Sequence, residues 1–379
     1  MTSTVSIVHC KDYDRDLIYD KVRAAVDLLG GMNSLIKPGE KVLIKPNLLK
    51  ARPPEAAVTT HPEVVRAVIR LVRQAGGDPA VGDSPGMGEE KEVLRRTGIL
   101  SVMEEEGAPI ADFTDSVKIR GKGRFHHFEV AKSAAEADAI INVPKFKTHG
   151  MMVMTGAVKN LFGCVPGKKK VQWHFNAGIN YESFAGMLVE LSVILKPRLT
   201  ILDAVTAMEG NGPGSGDPRN IGLIIAGEDT VALDVVSAAI VGLSPLQLPI
   251  IRAARSAGIG ESRIDQIRVL GEDINDIMVK DFQIPQLTNT EWPIPEWARR
   301  SLKHGLTTRP VINHDECVLC RVCQNDCTRG AIGEKDGRLI IDYRNCIRCF
   351  CCQEFCTEGA IKVGKGWMLR LASLIPVHP

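Results

Sequence analysis

The 379-residue chain reads as an α/β body, with a largely parallel sheet and helices on both faces, followed by a small cysteine-rich α+β module. Two observations lead there. Through roughly the first 280 residues, short apolar runs bounded by turn residues alternate with stretches of helical periodicity, which is the pattern of parallel strands joined by crossover helices. Nine of the eleven cysteines then fall between positions 317 and 356. Cysteines gathered at one end of a long chain, without a secretory leader, read as metal ligands in a reducing compartment rather than a disulfide framework.

The elements of the body follow in order. VSIVHC (5–10) is a first strand, and a helix over 15–29 ends at Gly30-Gly31. KVLIKPN (41–47) is a short buried strand. Thr60-His61-Pro62 opens a helix running to Gly76-Gly77, with a capping Thr and a Pro in the first turn. DPAVGDSPG (78–86) is strand then loop, and a helix covers 89–106. ADAIINVPKFKTH (137–149) is again strand then loop, followed by helices over 151–163 and 181–196. RLTILDAV (198–205) and IGLIIAG (221–227) are apolar strands with helices near 230–242 and 246–257. Residues 281–310 lack periodicity and form a linker in which Trp292 and Trp297 are anchors. The module takes 311–366, and the tail 367–379 has Trp367, Leu371, Leu374 and Ile375 at helical spacing.

The cysteines sit in a duplicated unit. Residues 312–332 read I-NHDE-C-VL-C-RV-C-QND-C-T-R-G-A-I, and 341–361 read I-DYRN-C-IR-C-FC-C-QEF-C-T-E-G-A-I, with a constant offset of 29. Three cysteines at i, i+3 and i+6 on a tight loop can wrap three corners of a cubane, and the fourth must come from elsewhere. Structural zinc prefers paired C-x2-C knuckles and fits this run less well. The duplicated C-x2-C-x2-C-x3-C run resembles the bacterial-type ferredoxins over about 306–366. That resemblance implies a ferredoxin-like two-cluster fold in which each fourth cysteine crosses to the other cluster. One [4Fe–4S] cluster would take Cys317, Cys320, Cys323 and Cys356, and the second Cys346, Cys349, Cys352 and Cys327. The family has Pro after the fourth cysteine, where this chain has Thr328 and Thr357. Cys351 stands outside the ligand pattern and reads as a packed thiol.

In the body, unusual polar residues collect at the carboxyl ends of strands, where open parallel sheets bind ligands. Lys45 and Asn47 end one strand, Asp83 and Ser84 another, Lys145, Lys147 and His149 a third, and Asp203 a fourth. Lys159 and Asn160 follow. Four lysines on one edge point to an anionic small molecule. His149, Lys145 and Asp203 are the catalytic candidates, with His149 the proton donor; Asp203 and Asp234 could hold a cation or cap helices. The loop EGNGPGSGDPRN (209–220) could bring backbone amides to a phosphate, although it is not a dinucleotide fingerprint. Gly163-Cys-Val-Pro-Gly167-Lys168 is one residue short of a P-loop and lacks its Ser/Thr. VLIKPNLL, the Thr-His-Pro helix start, GDSPG, NVPKFKTH, TGAVKNLFG and GNGPGSGDPRN are together similar to domain-of-unknown-function family 362 over about 1–275. The resemblance implies an iron–sulfur α/β protein and carries no reaction.

A formal net charge of +2 gives no reason to expect a nucleic-acid partner. No apolar stretch approaches the roughly 18 residues of a membrane helix, and the N-terminus carries no secretory signal, so the expected location is cytoplasmic. The expected function is an oxidoreductase passing electrons from a redox partner protein or low-potential donor to an anionic ligand in the body. An electron carrier whose body is a docking platform, and a non-redox lyase or isomerase with structural clusters, are the alternatives.

Overall fold

The computed structural model describes residues 2–121, 123–167, 170, 173, 181–285 and 308–364. Trp292, Trp297 and the tail helix lie outside them. The body carries strands β1 (Thr4–His9), β2 (Lys41–Pro46), β3 (Asp78–Val81), β4 (Ser116–Arg120), β5 (His127–Ala131), β6 (Ala139–Val143), β7 (Lys145–His149), β8 (Val153–Thr155), β9 (Leu199–Glu209), β10 (Asp217–Gly227) and β11 (Arg268–Gly271). The main sheet runs β11-β1-β10-β9-β6-β2-β3, with β7 beside β9 and β8 beside β7, while β4 and β5 form a separate hairpin. β2 pairs in parallel with β3 and β6, β9 with β6 and β7, and β1 with β11; β10 is antiparallel to both neighbours.

Successive residues of the central strands enter opposite layers, as the pleat dictates. Leu223 and Ile225 of β10 join Leu202 and Ala204 of β9 in one core, whereas Ile224, Ala226, Ile201 and Val205 join the other. The helices Tyr181–Leu195, Thr230–Ile240 and Pro249–Ala257 cover the first layer; Arg15–Asp27 and Pro62–Gln74 cover the second. Helices therefore lie on both faces of a largely parallel sheet, as the alternating pattern required.

Four local expectations are corrected. Residues 145–149, expected as loop, are strand β7. Asn142 faces Thr200 and Lys145 faces Asp203 at the same offset, so β6 and β7 are one path broken by Pro144, which has no N–H to give. The expected helix 151–163 is strand β8, the short helix Ala157–Asn160 and a 3-10 turn Leu161–Cys164. Nearly every residue from Met151 to Val165 is buried, so apolar periodicity cannot separate helix from strand there. The helix expected over 89–106 is two, Glu90–Arg96 and Ile99–Glu106, divided at Gly98, whose φ of 75° is left-handed. Residues 217–220, taken as loop, extend β10.

The module pairs β12 (Arg309–Ile312) with β15 (Ile361–Gly364), and β13 (Ile332–Lys335) with β14 (Arg338–Ile341), all antiparallel. Short helices Val322–Asn325 and Cys351–Phe355 complete it. The duplication is visible in the backbone: Leu319 and Arg348 share left-handed φ values of 56° and 57°, and Arg321 and Phe350 share 61° and 60°. Left-handed geometry at a non-glycine costs roughly 1–2 kcal/mol. At Phe350 burial outweighs it: the ring is 3% exposed within the first core layer of the body, and burying such a side chain contributes about 1.5–3 kcal/mol.

Candidate functional site

Two regions meet at the carboxyl edge of the sheet, the polar residues of the body and the cysteine loops of the module. Lys45 at the end of β2 places Nζ 2.9 Å from Asp83 Oδ1 and 2.9 Å from the Pro46 carbonyl, while Asp83 Oδ2 accepts from the Leu48 N–H at 2.8 Å. The two side chains are 0% and 3% exposed. Gly163 leaves room for them, since a methyl group there would overlap the Asp83 carboxylate. Ser84 Oγ accepts from Gly167 N, and its carbonyl accepts from Lys170, whose ammonium burial pushes down to about 8.

Lys145 pairs with Asp203 at 2.9 Å and donates to Tyr13 Oη at 2.7 Å. Asp203 also accepts from the Tyr13 hydroxyl and from the His61 N–H, and the Tyr13 ring stacks on His61 at 3.6 Å. Burial drives Tyr13 well above the ordinary phenol range, helped by the Asp203 charge, and drives His61 down to about 4. Lys147 has no carboxylate hydrogen-bonded to it: Nζ donates to Asn47 Oδ1 at 2.8 Å and to the Val58 carbonyl at 2.7 Å. A ladder of amides continues from Asn47 to Asn160 and from Asn160 to Asn142. Burial holds the Lys147 ammonium well below its usual range, with the Lys159 charge acting in the same direction. Lys159 itself is half-buried, and no hydrogen bond or ion pair involves its side chain among the described residues.

The predicted lysines are therefore neighbours of unequal standing. Lys45 and Lys145 are neutralised inside the body by Asp83 and Asp203, so of the four edge lysines Lys147 and Lys159 are the two with no carboxylate hydrogen-bonded to them among the described residues. Asp203 acts on Lys145, Tyr13 and His61. Asp234 accepts from Ala157 N at 2.6 Å and Val158 N at 3.1 Å, capping that helix from a fully buried position where desolvation raises it to about 7. Cys164 is buried, its thiol pushed up to about 12 by desolvation.

His149 joins the regions. Its Nδ1 accepts from Met151 N at 3.0 Å and Met152 N at 3.2 Å, so the proton sits on Nε2, which donates to Glu354 Oε1 at 2.8 Å. Burial lowers the imidazole to about 4. The glycine loop meets the module too: Gln353 Nε2 donates to Asn211 Oδ1 at 2.5 Å, Asn211 Nδ2 to the Gly359 carbonyl at 3.3 Å, and Ser215 Oγ to the Cys356 carbonyl at 3.3 Å. Lys50, 2% exposed, donates to the same Cys356 carbonyl at 3.2 Å, and Arg52 bonds the Thr357 carbonyl. Tyr13, Lys50, His61, Asn211 and Ser215 were missed as site residues. Only the last two carried a signal, their glycine-rich loop, which grips the module.

Within the module, Cys317, Cys320, Cys323 and Cys356 border one recess of about 360 Å³. Cys327, Cys346, Cys349 and Cys352 border a second of about 450 Å³, with Ile332, Ile341 and Phe350 in its walls. Each recess draws three of the predicted ligand cysteines from one half of the repeat and one from the other, and Cys351 also lines the second. Among the described residues no three His, Cys, Asp or Glu side chains converge on a point for a single ion; these cysteines line walls instead. Backbone N–H groups face the sulfurs at matched positions, from Ala331 to Cys327 at 3.3 Å and from Ala360 to Cys356 at 3.2 Å.

No described helix is long and apolar enough to cross a membrane. Comparison with known proteins finds a thylakoid-associated protein of Synechocystis, 38% identical over 305 residues, covering 80% of this chain and 95% of that protein. Among solved structures, the lactate racemase apoprotein of Thermoanaerobacterium thermosaccharolyticum aligns with a TM-score of 0.42 and 11% identity, over 60% of this chain and 54% of that one. Residues 42–239, spanning the ion pairs and the amide ladder, match the model of the domain of unknown function 362, and the chain belongs to that family.

Proposed function

We propose that the module holds two [4Fe–4S] clusters and that the protein is an oxidoreductase passing electrons to an anionic small molecule at the lysine edge of the body. The observation that carries the reading is the crossed arrangement of the two cysteine quartets around separate recesses. The residues fit such a group. Four thiols per recess match the ligand number, Ile332, Ile341 and Phe350 supply apolar wall to the second recess, and the Ala331 and Ala360 N–H groups face quartet sulfurs. When bound, the clusters supply one-electron transfer. The docking contacts argue for a fixed path rather than a free shuttle, because Lys50 and Ser215 hold the peptide carbonyl of quartet residue Cys356. Fixing the module to the body makes electron delivery intramolecular, at a high effective concentration.

Lys159, half-buried, with its charge acting on the buried Lys147, is the ammonium that would meet the anion, since neither has a carboxylate hydrogen-bonded to it among the described residues. Asn47 and Asn160 position Lys147, and the pairs Lys45–Asp83 and Lys145–Asp203 frame the edge. A cytoplasmic location and a low-potential redox partner belong to the same proposal, because thiolate ligands need a reducing compartment.

Anaerobically purified protein should carry about eight irons and eight acid-labile sulfides. Stoichiometric zinc without sulfide would overturn the reading. Cys327→Ala should damage the cluster held mainly by Cys346, Cys349 and Cys352; damage confined to the other would refute the crossing. Any small molecule that co-purifies should be anionic and should bind more weakly to Lys159→Met, with the fold unchanged. Unaltered binding would remove Lys159 from the site.

A further inference from the structure

The two halves of the repeat share one plan and have different surroundings. Eleven of residues 312–332 are exposed, against four of the matched residues 341–361. The body covers the second half: Phe350 enters its first core layer, Gln353 and Glu354 bond Asn211 and His149, and Gly359 lies against Ser215. The counterparts 29 residues earlier are Arg321, Gln324, Asn325 and Gly330. Arg321 and Asn325 are exposed, and a Cβ at Gly330 would meet nothing. Of the eight quartet cysteines Cys320 is the exposed one, whereas Cys356 of the same quartet is 9% exposed at the joint with the body. Two residues before Cys320 stands Val318, at 65% the most exposed large apolar side chain among the described residues.

We infer that the first half of the repeat is the docking surface for a small one-electron carrier protein, and that electrons enter the first quartet at its Cys320 corner. The inference rests on the reading that both quartets hold clusters. The second half shows what such a surface does: the same stretch of chain, with the same left-handed turns, makes a protein contact where it lies against the body. The matched surface of the first half is open among the described residues. An apolar side chain at the open corner favours a protein over a small charged reductant, which gains nothing from Val318. Electron-transfer encounters bury little area, so Val318 with the Arg321–Glu334 pair nearby is enough of a patch. The carrier gives up one electron and the first cluster takes it, with no bond made or broken. The same quartet then reaches from this open corner to Cys356, whose carbonyl Lys50 and Ser215 hold against the body.

The test uses the anaerobic full-length chain, with iron and sulfide counted first. Fewer than about eight of each in the wild type would overturn the cluster reading and this inference together. With both clusters present, stopped-flow mixing compares two protein donors, a reduced two-cluster ferredoxin and a flavodoxin hydroquinone, with a small donor, the methyl viologen radical. At least one protein donor should reduce the wild type in a second-order step. Val318→Glu should slow that step by about tenfold or more, because a bare charge is then desolvated in the contact. The viologen rate should stay the same, and Val193→Glu, at a valine 43% exposed on the body, should change neither rate. The inference is overturned if neither protein donor reduces the chain, or if Val318→Glu leaves the protein rate unchanged or slows the viologen equally. If Val318→Glu loses iron, paramagnetic resonance of the wild type decides. A soluble dysprosium chelate should then relax the cluster that Cys320→Ser marks by its altered signal more strongly than the other, and equal or reversed relaxation overturns the inference.

Discussion

Removing the Lys45 ammonium should expose how much of the lysine edge is internal structure. In Lys45→Met the Asp83 carboxylate keeps the Leu48 N–H but loses its charge partner at 2.9 Å, in a site where the acid is 3% exposed. Deleting one member of a buried pair strands the other charge, at a cost of about 3–5 kcal/mol. For a body of this size that is a fall in melting temperature of roughly 6–20 °C, at about 2–4 °C per kcal/mol. Asp83→Asn placed on top should recover a large part, because the neutral amide oxygen still accepts from Leu48 and no bare charge remains. Urea unfolding of the two single variants and the double variant measures the coupling directly. A Lys45→Met cost below about 1 kcal/mol, or no recovery in the double variant, would show that the pair is solvated and that Lys45 is open to ligand after all.

The other predictions concern the joint between body and module. His149 is held neutral, its folded value depressed to about 4. A depressed histidine contributes stability above its unfolded value of about 6.5 that is lost as pH falls through the folded value, because the unfolded chain takes the proton first. Unfolding free energy should therefore decline from pH 6.5 toward 4, and His149→Asn, which keeps an acceptor for Met151 and Met152, should make that decline shallower; an identical slope would refute the assignment. Gly359 has φ of 65°, and a Cβ there would sit 2.9 Å from the Ser215 Cβ, whereas the matched Gly330, at 56°, has open space. Gly359→Ala and Gly330→Ala should share a backbone penalty of roughly 1–2 kcal/mol, and Gly359→Ala alone should loosen the module, read as faster amide exchange in β15. Equal exchange in both variants would remove the Ser215 contact from the joint.

Much of the fold was legible because the central strands are short apolar runs of the kind a doubly covered sheet demands. β7 was not, because lysine and histidine read as loop markers. Its residues are buried through partners far along the chain, Lys145 on Asp203 and His149 on Glu354, separations no local pattern carries. The duplicated cysteine runs were legible from spacing, while their division into two crossed quartets came from the resemblance to bacterial-type ferredoxins. The lysine edge was half legible. Strand ends announced Lys45, Asp83, Lys145 and Asp203 as a group, but not that they neutralise one another two by two. Lys50 and Tyr13 gave no signal, and His61 showed only as part of a helix start, because a lysine, tyrosine or histidine becomes part of a site only when the topology brings its partner.

The segment from Cys352 to Cys356 serves two masters. Cys352 faces one recess and Cys356 the other, while Gln353 and Glu354 between them grasp Asn211 and His149 of the body. The corresponding stretch of the first half keeps the glutamine, as Gln324, but carries Asn325 where Glu354 stands, so the acid that meets His149 belongs to the second half of the repeat. Sulfur placement and attachment are interleaved within a single turn of chain. A foreign two-quartet domain grafted onto this body would bring its cysteines and still float, and a body altered at His149 or Asn211 would disturb both sulfur sets at once.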